Sequence, residues 1–217
     1  MISTRDLSQL PDADGLRRLL QSLAMLDAIL CPEWQYRYYS FNAAWAGGEK
    51  TGSMRDGCGD DFRAHFGAAG CWLKGFAHES LMSPCRVRPP AVWPGVLDGV
   101  PAEFAGCLRE PAFAIEATTF CVWRKWGDPA WQTGPVAFPP GHPDPDGSAA
   151  LLSALDGRPE SYRDWAADYY ERDVNLAAVA HVHAHRSLTS KVVARLNPEL
   201  SRESLTADVA EIGYPAS

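Results

Sequence analysis

Apolar residues recur at steps of three and four from Leu16 through Leu19, Leu20, Leu23 and Leu26 to Leu30, the spacing of one broad helix face. Asp12 and Asp14 stand where a cap and a first-turn carboxylate belong, and Cys31-Pro32 closes the run. An N-terminal helix is predicted. The period then shortens. WQYRYYSF (34–41) alternates Trp34, Tyr36 and Tyr38 with Arg37, Tyr39 and Phe41, and reads as a strand covered on both sides. Turn-forming GGEK, DGCGD and GAAG separate TGSMR, DFRAHF and CWLKGF. Connections this short join antiparallel neighbours, so a four-stranded meander is expected.

From Ser83 to Pro101, prolines and arginines without a clear period mark a long surface connection. PAEFAGCLRE (101–110) follows as a short helix that opens on Pro101, joins Phe104, Cys107 and Leu108 on one face and is closed by Pro111. IEATTFCVWRKW and WQTGPVAF pair as a hairpin across GDPA. After the proline-rich FPPGHPDPDGS the helical period returns, with Tyr162, Trp165, Ala166 and Tyr169 on one face and Glu160, Asp164 and Asp168 on a solvated one. Thr189 and Ser201 are placed to cap two further helices, and Gly213 to end the last. The expected fold is a single α+β domain over 1–217: an N-terminal helix, a mostly antiparallel sheet of five or six strands, and a helical C-terminal third.

Composition fits a folded globule, since 46% of residues are apolar and 22% charged, far from the profile of a disordered chain. A net charge of −7 repels phosphate backbones and anionic lipid, and no run of Lys or Arg offsets it; neither nucleic acid nor membrane is an expected partner. MISTRDLSQLPDADG lacks the basic and then apolar segments of an export signal, and LLQSLAMLDAIL is broken by Gln21 and Asp27. A cytoplasmic protein is expected. The six cysteines include no Cys-x-x-Cys pair, so reduced, mostly buried thiols are the reading.

Each local chemical pattern fails at a residue its chemistry needs. HVHAH (181–185) holds three of six histidines, but on a helix His181 and His185 share a face while His183 points elsewhere. The Glu of a zinc-protease His-Glu-x-x-His is replaced by Val182. GHPDPDGS lacks both anchor positions of a calcium loop. Cys58 in DGCGD sits at a hairpin turn and not at a hydrolase elbow, with His65 and His78 along the chain. AGGEKTGS carries Glu49 where a phosphate loop requires glycine. What stands out is the supply of aromatics near arginine: Trp93 and Trp131, next to Pro and Gly, with Arg86, Arg88 and Arg124, have the composition of an interaction hot spot.

YRYYSFN, SMRDG, WPGVLD and DPDGS resemble a family of uncharacterised bacterial proteins of about this length, over most of the chain. That resemblance implies no activity, cofactor or site. In size, acidic balance and lack of a catalytic constellation the chain is similar in kind to immunity proteins of bacterial toxin systems. The leading expectation is therefore a non-enzymatic protein-binding module without a cofactor, using Trp93, Trp131, Arg86, Arg88 and Arg124 against a protein partner. The alternatives are a zinc-dependent hydrolase with His181, His185 and His142 as ligands, and a small-molecule sensor with a pocket between sheet and helices.

Overall fold

A computed structural model describes residues 1–215. The first helix, α1 (Ala13–Leu30), begins where the Asp12 carboxylate accepts the Gly15 amide at 2.8 Å, the N-cap its sequence requires. From Leu19 to Leu30 every residue is buried, polar ones included. The leucine stripe accounts for one side only. The other is covered because the C-terminal helices pack on the back of α1 while the sheet packs on its front.

Among the described residues one six-stranded sheet runs in chain order: β1 (Tyr39–Ala46), β2 (Glu49–Arg55), β3 (Asp61–Gly67), β4 (Gly70–Phe76), β5 (Phe120–Lys125) and β6 (Gln132–Thr133), every neighbour antiparallel. The α+β architecture is as the periodicity implies. Two boundaries differ. Residues 34–36 form a 3-10 turn, and the strand starts only at Tyr39. The cause is the end of α1, where the Asp27 carboxylate accepts both the Tyr38 and Tyr39 amides and Arg37 donates to the Cys31 and Pro32 carbonyls. Those bonds tie the segment to the helix and keep it out of the ladder. The segment 101–110 is likewise not one helix but two short 3-10 turns, Ala102–Phe104 and Cys107–Arg109, followed by a third at Pro111–Phe113.

Alternation along the strands sends two residue sets to two different covers. Phe41, Met54, Phe62, Phe66, Leu73 and Val122 join the large core beneath α1 and the C-terminal helices. These are α2 (Ser148–Leu151), α3 (Pro159–Tyr169), α4 (Leu176–His183), α5 (Ser190–Leu196) and α6 (Thr206–Ile212). Trp72, Cys121 and Trp123 face the other way into a smaller core completed by Met82, Val96, Phe104, Cys107 and Phe113. The long connection after β4 is thus a lid over the second face of the sheet and not a strap on the surface. It is held close where Gly134 meets Gly95: a Cβ on Gly134 would lie 1.9 Å from the Gly95 carbonyl oxygen.

Candidate functional site

At the far end of β1 the lid leaves a cleft of about 170 Å³ against the sheet. His65 on β3 pairs across the ladder with Trp72 on β4, so its imidazole points into the lid side, where it is 7% exposed. The hairpin turn at Gly47 and Gly48 brings Glu49 alongside, and Glu49 Oε2 lies 3.1 Å from His65 Nε2. From the lid, the turn that starts at Cys107 sets its Sγ 3.4 Å from His65 Nδ1. Thiol, imidazole and carboxylate therefore stand in line. A Cβ on Gly67 would come 2.9 Å from His65 Cε1, so glycine there leaves room for this ring position.

The walls are aromatic. Glu110 caps the next turn by accepting the Ala112 amide, which fixes Phe113 between the stacked rings of Trp45, at 6.1 Å, and Trp72, at 5.5 Å. Glu103, in a 2.5 Å ion pair with Lys125, and Glu110 complete the lining. In the tautomer that carries its proton on Nε2, toward Glu49, the ring turns its Nδ1 lone pair to the thiol. Burial, and then the nearby Glu49 charge, push the Cys107 thiol up to about 12, so it rests protonated. A carboxylate-oriented base beside a thiol is the arrangement required for nucleophilic attack on an electrophilic carbon. A single ion could not be bound by all three, because the ring separates the sulfur from the carboxylate.

The residues singled out by sequence lie elsewhere. Trp131 is 7% exposed, its indole donating to the Pro11 carbonyl, and it belongs to the large core. Trp93 is half-buried and donates to the Ala137 carbonyl. Both rings turn inward because an indole beside proline and glycine gains more by covering apolar neighbours than by standing in water. Arg86 is exposed with its guanidinium on the Ser80 and Glu79 carbonyls, Arg88 is exposed, and Arg124 donates to the Asp128 carbonyl. The exposed rings are instead Tyr36, Trp34, Trp126 and Tyr169, with Trp45 less so.

The histidine trio does not converge. The helix α4 stops at His183, and His185 turns to a positive φ of 55°. His181 Nε2 meets the Ser187 carbonyl oxygen, His185 Nδ1 lies 3.2 Å from Ser22 Oγ with its ring against Tyr214, and burial disfavours protonation of His183. His142 accepts the Asp144 amide in its own loop. The helix was expected to carry all three rings; Tyr214, whose hydroxyl donates to the Val182 and Arg186 carbonyls, satisfies the end of α4 and fixes the stop there. Among the described residues no three His, Cys, Asp or Glu side chains are grouped to hold a metal ion.

Sequence reading named Cys107 only as an apolar helix position and His65 only as a distant companion of Cys58. Their separations, 16 residues from Glu49 to His65 and 42 from His65 to Cys107, follow no local motif. Comparison with protein-family models, with curated proteins and with solved structures gives no match. Among the described residues no helix is long and apolar enough to cross a membrane.

Proposed function

We propose that the chain is a cytoplasmic protein-binding module that docks a basic protein surface, in the manner of an immunity protein that occupies its cognate toxin. The observation that supports this reading is the aromatic surface at the start of β1. Trp34 is 53% and Tyr36 60% exposed. Trp34 is not loose: the Arg55 guanidinium lies 4.1 Å over its ring and donates to its carbonyl. Tyr169, 42% exposed, is stacked on Trp165 and touches Tyr38. Rigid exposed aromatics supply contact area at little entropic cost, the property of interface anchors. Glu211 lines the same shallow depression as Trp34, where Asp208 is paired with Arg37, and the whole chain carries a charge of −7. That electrostatic sign attracts a basic partner.

The test uses tagged full-length chain as bait in an extract of its source cell, followed by titration of the purified retained protein against the bait. Wild type retains a saturable basic partner. Trp34→Ala with Tyr36→Ala weakens it at least a hundredfold, since two anchors at about 2 kcal/mol or more remove that much affinity, whereas Trp93→Ala leaves it within threefold. Retention that is equal in wild type and the double variant, or no retained protein, overturns the reading.

A further inference from the structure

We infer that the cleft under the lid is a catalytic site for acyl transfer, with Cys107 as nucleophile, His65 as general base and Glu49 as the residue that positions it. The inference is independent of the binding surface. The cleft lies at the opposite end of β1, seven residues along the chain, or about 23 Å along an extended strand.

Three observations converge. Sulfur and imidazole are in hydrogen-bonding contact at 3.4 Å, and the Glu49 carboxylate lies 3.1 Å from the other ring nitrogen. Cys107 and His65 are nearly buried, so the proton exchanged between them is not lost to bulk water. Cys107 lines the cavity together with Trp45 and Phe113, and Gly106 beside it adds no side chain to close it. At about 170 Å³ the cavity admits a small acyl group and excludes a large ligand. The carboxylates of Glu49 and Glu110 on its lining disfavour an anionic acyl chain, Glu103 being paired with Lys125. The substrate class is a small, uncharged or cationic carboxylic ester or thioester.

The step balances without an outside oxidant or reductant. His65 Nδ1 takes the Cys107 proton as Sγ bonds to the acyl carbon, and Glu49 offsets the imidazolium charge. The bond from that carbon to the leaving oxygen or sulfur then breaks, and Nδ1 returns the proton to the departing alcohol or thiol. Water attacks the resulting thioester with His65 again as base, releasing the carboxylic acid and restoring the thiol.

The probe is 4-nitrophenyl acetate, with the more exposed Cys31, Cys58 and Cys85 changed to Ser so that acylation reports on the cleft. The expected result is a burst of one equivalent of nitrophenolate per chain and an acetyl group mapped to Cys107 by peptide mass. The acylation rate should level off far below the thiol's own titration near pH 12. His65→Gln should slow acylation at least a hundredfold and leave a rate that still climbs at pH 10. Glu49→Gln, at a half-exposed position, should fold normally, slow acylation about tenfold and move the pH at which the rate levels. No acetyl on Cys107, or acetylation with the same rate and pH profile in His65→Gln and Glu49→Gln, overturns the inference.

Discussion

The two faces of the sheet are covered by different means. One lies beneath helices that satisfy their own backbone, and its strands contribute mainly apolar groups: Phe41, Met54, Phe62, Phe66, Leu73 and Val122. The other lies beneath a lid of turns whose carbonyls and amides need partners, and its strands contribute polar side chains beside the tryptophans. Lys74, 1% exposed, donates to the Ala117 carbonyl of the lid at 2.6 Å. An irregular cover imports polarity because buried backbone groups must be paired. The helix-covered face is consequently a core, and the lid-covered face is where a cleft with buried histidine and cysteine can exist.

Removing one ring from each face tests that contrast most strongly. Phe62→Ala empties a fully buried site between the sheet and the helices and should cost about 3–5 kcal/mol in urea unfolding. Phe113→Ala removes a ring almost as buried, but from a lid with no regular helix or strand of its own. It should release the lid by local opening before the sheet unfolds. Amide hydrogen exchange checks this. Residues 102–113 should lose protection in Phe113→Ala while β3 and β4 keep theirs; uniform loss across both would show that the faces share one cooperative unit.

Asp27 provides the next test, because it is a fully buried carboxylate that ties α1, the start of β1 and α3 together. It accepts Tyr162 Oη at 2.6 Å and the Tyr38 and Tyr39 amides at 2.9 and 2.7 Å. Burial nevertheless dominates those bonds and raises its pKa from 3.8 to about 6. The folded state then binds its proton more tightly than the unfolded chain does. The stabilisation from this group is complete below about pH 4 and is lost as pH rises through 6, by an amount on the order of 3 kcal/mol. Urea unfolding at pH 4.5 and 6.5 should show about 2 kcal/mol of that component in wild type and lose it in Asp27→Asn. An Asp27→Asn variant with an unchanged pH slope between those values would contradict it.

How much of this was legible in the sequence follows the same division. The stripe from Leu16 to Leu30, the meander and the caps at Asp12 and Thr189 are set by local periodicity and local hydrogen bonding, and the fold follows them. Residues 34–38 misled because alternating aromatics imitate a strand, while the deciding interaction is a carboxylate at position 27 that periodicity does not register. His185 stands past the end of its helix at a positive φ, where the Tyr214 hydroxyl meets the Val182 and Arg186 carbonyls, a partner that periodicity does not register. The lid was the least legible part: turns pack by shape and by backbone partners, neither of which has a period. Glu49, His65 and Cys107 meet only through a hairpin, a ladder register and that lid. A pattern scan sees three ordinary residues.

The smallest expected effect comes from the polar group most firmly placed on the lid side. Lys74 is buried, burial lowers its pKa, and its ammonium reaches Asp61 Oδ1 only at 3.5 Å. Desolvating a cation costs about as much as its hydrogen bond and distant partner return, so an apolar chain of equal length should replace it nearly evenly. Lys74→Met forfeits the bond to the Ala117 carbonyl but removes the buried charge, and the net change should stay within about 1 kcal/mol. Urea unfolding at pH 7 measures it. A loss of 3 kcal/mol or more would mean that this ammonium pins the lid, and that the second face is held shut by charge and not by its tryptophans.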